Sequence, residues 1–255
     1  MAQTDAAKLP VLLSALRLPS INRLWQPLAE EADREGWGCA RFLAALCEHE
    51  LAERDTRRIA RHMAQSNLPA GKDLASFDFA CAPTVNKPHI EAIAKGDGWL
   101  ESGGNILLFG PSGTGKTHLA AAIGAALIEN GKRILFTRTT ELVQKLQAAR
   151  RDLGLPKALE KLHRFDCLIL DDLGYAQKDQ AETSVLFELI AQAYETKSLI
   201  ITCNQPFTEW DKIFPDKAMT VAAIDRLVHH ATIIEINTES YRRKVALKNN
   251  RDTKI

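Results

Sequence analysis

The sequence predicts an α/β fold, a three-layer sandwich in which helices cover both faces of a mostly parallel five-stranded sheet. Short runs rich in Ile and Leu alternate with longer helical stretches, which is the pattern of parallel strands connected by helices. The five strand-like runs are residues 105–109, 133–137, 167–170, 198–202 and 232–236. In such folds the ligand site lies at the carboxyl ends of the strands. Functional residues are therefore expected directly after these runs.

A small all-helical N-terminal domain is expected ahead of the sheet, with a boundary near residue 70 that gives domains 1–70 and 71–255. Ser20 is the expected N-cap of a second helix. Pro27 is expected to kink or end that helix, because proline has no backbone N–H and clashes with the preceding turn. A longer third helix is expected over residues 39–63.

Apolar and then basic residues recur at helical spacing along this third helix. The positions expected to form one apolar face are Phe42, Leu43, Leu46, Cys47 and Leu51. The positions that continue the same side with guanidinium groups are Arg54, Arg57, Arg58 and Arg61. Two interpretations stay open: contact with nucleic-acid phosphates, or a solvated face on which Glu50 and Glu53 pair with arginines one helical turn further on.

Residues 110–117 read G-P-S-G-T-G-K-T, which matches the phosphate-binding loop G-x-x-x-x-G-K-[ST]. An apolar run precedes it and an Ala-rich helical run follows, so backbone N–H groups and the positive end of a helix dipole converge on an anion. Lys116 is expected to reach the β- and γ-phosphates of ATP, and the Thr117 hydroxyl is expected to hold Mg²⁺. The expected nucleotide contacts are Gly110, Pro111, Ser112, Gly113, Thr114, Gly115, Lys116, Thr117 and His118.

Polar residues follow the third and fourth strands. Asp171 is expected to bind Mg²⁺, and Asp172 is expected to act as the general base toward water. Asn204 is expected to orient that water or to touch the γ-phosphate, although asparagine also favours turns. Arg226 lies on a helix ahead of the last strand. It is either an arginine finger that reaches a neighbouring subunit's nucleotide or a surface partner of Asp225.

Two further segments carry candidates with open alternatives. Phe77, Phe79 and Trp99 precede the phosphate loop and either cover an adenine ring or pack in the core. A helical insertion over residues 139–165 should be split in two by Gly154 and Pro156. The basic residues by which this insertion could line a nucleic-acid channel are Lys145, Arg150 and Arg151.

The totals over 255 residues set only wide limits. A net charge of +1 neither requires nor excludes a nucleic-acid partner. Five cysteines without a C-x-x-C pair argue against a disulfide framework or a zinc site. We expect a soluble cytoplasmic protein with no membrane partner, since neither a signal peptide nor a run of about 18 apolar residues is present.

In this order, the residues resemble AAA+ ATPases of the DnaC/IstB-like group, and more closely the IstB-like ATPases that assist insertion-sequence transposition. The motifs that carry the resemblance are G-P-S-G-T-G-K-T-H-L (110–119), L-I-L-D-D-L-G-Y (168–175), I-T-C-N-Q-P (201–206), I-D-R-L (224–227) and E-S-Y-R (239–242). The resemblance implies Mg²⁺-dependent hydrolysis of ATP and an ATP-dependent homo-oligomer, either a ring or a helix, on double-stranded DNA. It also implies remodelling of that DNA and recruitment of a DDE transposase. Asn204 matches the first sensor of such ATPases and Arg226 matches their finger.

The chain departs from the broader AAA+ pattern at its end. Residues 237–255 are too few for the usual helical lid, so the lid is expected to be absent or vestigial, and Arg242 is the candidate for a second sensor. Three other functions stay open: a DnaC-like replicative helicase loader, a small-molecule kinase, and a nucleotide-gated scaffold with negligible turnover. A kinase should carry an arginine-bearing lid, and none is evident in the sequence.

Overall fold

The computed structural model describes residues 2–96, 98–174, 179–214, 216–238 and 241. The chain forms two compact units, 1–61 and 62–255. The division falls inside a helix, between Arg61 and His62, ahead of the boundary near residue 70 that the sequence predicts. Within the described parts of the chain, no helix has the length and apolar composition that a membrane span needs.

The N-terminal unit is helical, as predicted. Its helices are α1 Ala2–Ala15, α2 Pro19–Glu35 and α3 Cys39–Gln65, and the last turn of α3 belongs to the second unit. The expected Ser20 cap is wrong, because the N-cap of α2 is Leu18, two residues earlier, and the first turn of the helix begins with Pro19. Pro27 does not end α2, which continues until Gly36 adopts a left-handed conformation.

The buried side of α3 differs from the expected apolar face. Leu46 packs with Leu13 and Ile21 in the core of this unit, and the buried row continues one turn later with Glu50 rather than with leucine. The Glu50 carboxylate accepts hydrogen bonds from the backbone N–H groups of Ser20 (2.9 Å) and Ile21 (3.2 Å). It thereby caps the first turn of α2 from outside that helix. The expectation is wrong for three residues on the neighbouring row, which are exposed: Leu43, Cys47 and Leu51.

The second unit contains the predicted parallel sheet. Its strands are β1 Asn105–Phe109, β2 Ile134–Arg138, β3 Cys167–Asp171, β4 Ser198–Cys203 and β5 Ala231–Glu235. They lie in the order β2-β3-β4-β1-β5, and each of these pairings is parallel. β1, β3 and β4 are buried along their whole length, which explains why they read as unbroken apolar runs.

Helices cover both faces of this sheet and complete the three layers. They are α4 Lys87–Lys95, α5 Lys116–Glu129, α6 Thr139–Arg151, α7 Leu155–Leu162, α8 Gln180–Ala193 and α9 Lys217–Val228. α5 packs on one face against the first four strands and α4. The main core on the other face joins Leu107, Leu168 and Ile201 to side chains of α6 through α9. The prediction that residues 139–165 form two helices is confirmed.

Candidate nucleotide-binding site

A cavity of about 410 Å³ lies where β1, β3 and β4 end. Residues 112–118 of the phosphate loop line it together with Asp172, which follows β3, and Asn204, which follows β4. Since β4 lies between β1 and β3, the strand order brings these three segments to one edge of the sheet. The volume is in the range of small-molecule sites.

Backbone geometry explains the glycines of the loop. Gly110 has φ 147°, and a Cβ atom there would lie 2.4 Å from the backbone oxygen of Ile236. Gly115 has φ 100°, and a Cβ atom would lie 3.2 Å from the Phe77 ring. A side chain at either position would collide or strain the backbone. These positions therefore hold the loop in a shape that only glycine adopts without strain.

Lys116 lies at the start of α5 and is 5% exposed. Its Nζ donates hydrogen bonds to the backbone oxygens of Gly110 (2.7 Å) and Pro111 (2.8 Å). Thr114 also donates to the Pro111 oxygen, at 2.9 Å. The ammonium group is thus held against the loop, at the helix end where positive charge favours anions.

Asp171, the last residue of β3, and Asp172, which follows it, are both bonded by a residue whose role the sequence motifs do not indicate. Asp171 is 4% exposed, and its Oδ1 accepts a 2.7 Å hydrogen bond from Thr202 Oγ1 on β4. Asp172 lines the cavity with φ 57°, and its N–H donates to the same hydroxyl at 2.9 Å. The Thr139 hydroxyl donates to the backbone oxygen of Asp171 at 2.9 Å. The acidic pair is therefore fixed by side chains from two other elements.

Hard oxygen donors suited to Mg²⁺ are present here. Thr117 and Asp172 line the same cavity, and Asp171 directly precedes Asp172. Hydroxyl and carboxylate oxygens, completed by water and phosphate, are the ligands that Mg²⁺ prefers. Thr202 bonds one oxygen of the Asp171 carboxylate, so its second oxygen is not used by that contact. These residues fit a magnesium ion bound with a nucleoside triphosphate.

The segment before the loop forms another wall of the cavity. Phe77 is buried, lines the cavity and meets the His118 ring edge to face, with centroids 5.3 Å apart. His118 Nε2 lies 3.2 Å from Ser76 Oγ and 3.2 Å from the Asp73 backbone oxygen. Hydrogen bonds from Ser76, with the nearby His118 ring, lower the pKa of Asp73. Trp99 instead donates to the Ile93 oxygen at 3.0 Å.

The two arginines predicted to complete the site have different outcomes. Arg226 donates from Nη1 to the Ala222 oxygen at 2.8 Å, and its guanidinium lies 5.2 Å from the Phe187 ring centre. It is absent from the described residues that line the cavity. Arg242 lies outside the described residues. Tyr241, next to it in sequence, lines the cavity and donates its backbone N–H to the Gly113 oxygen at 3.0 Å.

Most of the arginines on α3 take part in contacts within the helical unit. Arg54 Nε donates to Glu50 Oε1 at 2.9 Å, and Arg57 Nη2 lies 3.6 Å from the same oxygen. Burial of Glu50 raises its pKa, but hydrogen bonds from Ile21 and Arg54 outweigh burial, so the net pKa is lowered. The remaining residues of the row are Arg58, which pairs with Asp55 at 3.2 Å, and Arg61, which is exposed. Arg54 and Arg57 thus stabilise the buried carboxylate.

The basic helical insertion is only partly free to meet a partner. Arg150 pairs with Glu188 and donates to Ser184 Oγ at 2.9 Å, which ties α6 to α8. Lys145 and Arg151 are exposed on α6. Lys145 and Arg151 are therefore accessible to a partner, whereas the Arg150 guanidinium contributes to packing between helices.

Comparison with known proteins identifies related ATP-binding proteins that match nearly the whole chain. The family described as IstB-like ATP binding protein matches residues 11–249. An insertion sequence ATP-binding protein of Sinorhizobium fredii is 65% identical over 96% of this chain and 82% of its own length. The IS21 ATP-binding protein of Pseudomonas aeruginosa is 35% identical over 93% of this chain and 89% of its own length.

Solved structures show the same fold at low identity. AMPPCP-bound DnaA from Aquifex aeolicus aligns with a TM-score of 0.57 and 18% identity, over 74% of this chain and 58% of that one. The chain thus spans little more than half of that protein. DnaI aligns with a TM-score of 0.54 and 21% identity, over 67% of this chain and 95% of that one. The sheet and its helices therefore share the fold of these two proteins.

Proposed function

This chain belongs to the family of IstB-like ATP binding proteins and is an ATPase, and we propose that it assists insertion-sequence transposition by assembling on duplex DNA in its ATP-bound form. The observation that carries the proposal is the cavity that joins the phosphate loop to Asp172 and Asn204. The names of the relatives, insertion sequence ATP-binding proteins, support the link to transposition. DNA remodelling and recruitment of a DDE transposase are parts of the same proposal.

Each residue of the cavity has a distinct part in the proposed hydrolysis. Lys116 and the loop N–H groups neutralise the phosphates. Thr117 and Asp171 would hold Mg²⁺, which when bound neutralises charge on the β- and γ-phosphate oxygens. Asp172 accepts a proton from the attacking water, and Asn204 orients that water. In a site of this kind, nucleotide binding depends on the loop, whereas turnover depends on Asp172.

Arg226 would complete the site of a neighbouring copy. Its guanidinium is half-exposed and lies outside the described lining of its own chain's cavity. A finger supplied in trans requires head-to-tail contacts, which give a ring when they close and a helix when they do not. We therefore propose an ATP-dependent homo-oligomer.

Mixing two inactive variants tests the shared site. Lys116→Ala removes nucleotide binding and Arg226→Ala removes only the finger, so a mixed oligomer regains some intact sites. We expect an equimolar mixture to show ATP turnover well above the sum of the separate variants. A mixture that stays at that sum would show that Arg226 does not act between subunits.

The proposed DNA contacts divide into two groups. Arg61, Lys145 and Arg151 are exposed and would meet phosphates. Replacing any one of them by alanine should weaken binding and lower the slope of log affinity against log salt by about 1. Arg54 and Arg57 hold Glu50, so their loss should lower the melting temperature as well as any DNA affinity.

Nucleotide-dependent DNA binding is the decisive test of the proposed function. We would measure binding of a fluorescent duplex with ATP, with ADP and without nucleotide across a salt series. Tight binding only with ATP is expected, and Lys116→Ala should abolish it. Asp172→Asn should bind ATP but turn over slowly, so its DNA assembly should last longer than that of the wild type. Equal affinity in all three nucleotide states would refute the proposal.

Partner capture separates transposition from helicase loading. Purified chain with ATP and DNA would be offered a DDE transposase of an IS21-type element or a replicative hexameric helicase. We expect retention of the transposase and not of the helicase. Capture of the helicase alone would show that the protein is a DnaC-like loader. Turnover stimulated by a metabolite and unaffected by DNA would instead indicate a small-molecule kinase.

A further inference from the structure

We propose that Thr202 is a positioning residue for the acidic pair, and that its hydroxyl sets how strongly the site binds nucleotide together with Mg²⁺. The inference rests on the proposed roles of Asp171 and Asp172. It assigns to a neutral side chain on β4 a task that sequence motifs place only on β3.

Because the Thr202 hydroxyl has a single proton, its two hydrogen bonds must have opposite directions. The Asp172 backbone N–H donates to Thr202 Oγ1 at 2.9 Å, so the hydroxyl is the acceptor of that bond. A hydroxyl carries a single proton, and the other neighbour within reach is Asp171 Oδ1 at 2.7 Å. Thr202 therefore donates to the carboxylate. A charge-assisted bond of this type fixes the orientation of the Asp171 carboxylate.

Thr202 makes hydrogen bonds with three consecutive residues, namely the last residue of β3 and the two residues that follow it. Besides its contacts with Asp171 and Asp172, its backbone oxygen accepts from the Leu173 N–H at 2.9 Å. Asp172 has φ 57°, in the left-handed region that residues other than glycine rarely occupy. Such conformations persist where surrounding contacts determine them. Thr202 thus makes three of the hydrogen bonds that hold the turn carrying Asp172 into the cavity.

Its place in the sheet links the acidic pair to the phosphate loop. Thr202 is fully buried and lies beside Leu108 of β1, one residue before β1 ends. The preceding residue of β4, Ile201, lies beside Leu170 of β3. β4 therefore fixes the distance between the strand that carries the loop and the strand that carries the carboxylates, and Thr202 transmits this position to Asp171.

The test uses Mg²⁺-linked nucleotide affinity rather than activity alone. A fluorescent ATP analogue would be titrated with Mg²⁺ and with EDTA, in the absence of DNA, for Thr202→Val and Thr202→Ser. Valine keeps the shape and removes the hydroxyl, whereas serine keeps the hydroxyl. The Mg²⁺-linked gain is the affinity in Mg²⁺ divided by the affinity in EDTA. We expect this gain to be about tenfold smaller in Thr202→Val than in the wild type, which is the factor that one charge-assisted hydrogen bond accounts for. Its affinity in EDTA should stay within about twofold of the wild type.

Thr202→Ser should retain the Mg²⁺-linked gain within about threefold, whether or not it melts earlier than the wild type. Thr183→Val is the matched control, because Thr183 is also fully buried, and among the described residues its hydroxyl bonds the backbone oxygens of Asp179 and Gln180 at the start of α8. This control should keep the full gain. An unchanged gain in Thr202→Val would overturn the proposal, and so would an equal loss in Thr183→Val or in Thr202→Ser.

A double-mutant cycle shows whether Thr202 acts through Asp171. Asp171→Asn should itself reduce the Mg²⁺-linked gain, and adding Thr202→Val should then change it by less than about twofold, because coupled residues are not additive. Fully additive losses would refute the proposed route. These measurements contain no DNA, so a result that refutes the role of Thr202 would not refute the proposed DNA function. Conversely, DNA binding that does not depend on nucleotide would refute the proposed DNA function but not the role of Thr202.

Discussion

Asn105 offers the sharpest test of how the sheet is held together. It begins β1 and is 7% exposed. Its Oδ1 accepts from the Leu199 N–H of β4 at 3.0 Å, and its Nδ2 donates to the Leu227 oxygen at the end of α9, also at 3.0 Å. One side chain thus satisfies two buried backbone groups that belong to other elements.

The expected cost follows from those two groups. Asn105→Leu has a similar size but cannot hydrogen-bond, so the Leu199 N–H and the Leu227 oxygen lose their partner. A buried polar group left unpaired costs about 1–3 kcal/mol, which makes about 2–6 kcal/mol for both. For a unit of this size about 4 kcal/mol lowers the melting temperature by roughly 8–16 °C.

Urea unfolding followed by circular dichroism, with thermal melts alongside, measures this loss. Asn237→Leu is the control, because Asn237 is exposed and, among the described residues, its side chain contacts Glu235 at 3.4 Å. The control should stay within about 0.5 kcal/mol of the wild type. If Asn105→Leu melted within about 2 °C of that control, the two hydrogen bonds would not stabilise the fold as argued.

Two other predictions test the loop and the helical unit. Gly110→Ala should weaken binding of a fluorescent ATP analogue at least about tenfold, since the added Cβ meets the Ile236 oxygen at 2.4 Å; Gly154→Ala, whose Cβ has no neighbour nearer than 3.7 Å, should bind normally, and equal binding by both would contradict the geometry. Glu50→Gln should destabilise the helical unit by about 1–3 kcal/mol at pH 7. Because the pKa of Glu50 is lowered from 4.5, this difference should shrink as the pH falls below 4.5 and be lost as it falls through the folded-state pKa. A difference that does not shrink at any pH below 4.5 in denaturant titrations would contradict this account.

Local patterns predicted the elements that carry the site. The phosphate loop, Asp172 and Asn204 were each identified from residues adjacent in sequence, and the order of strands and helices followed from hydrophobic periodicity. Each of these predictions depends on contacts within one turn or one strand. The structure brings these three segments to one cavity, as expected for carboxyl ends of parallel strands.

Contacts between distant segments were beyond the sequence analysis. The bond between Thr202 and Asp171 joins residues 31 positions apart, and nothing in either strand indicates which hydroxyl will face which carboxylate. The spacing predicts that Glu50 pairs with Arg54, and the structure contains this pair. The same carboxylate also caps α2 through backbone N–H groups 29 and 30 positions away, which the spacing does not indicate. The expected Ser20 cap failed for a local reason, because α2 already begins at Pro19.

The strand order also has a consequence for biosynthesis. Both neighbours of β1 come from late in the sequence, because β4 spans Ser198–Cys203 and β5 spans Ala231–Glu235. A nascent chain that has emerged only as far as α8 already contains the phosphate loop, but the strand leading into it has two unpaired apolar edges, which are hazards for aggregation. Long-range parallel pairing also folds slowly. We therefore expect ATP affinity to arise only after β4 and β5 have paired with β1, so that on the ribosome it would report that the sheet is complete.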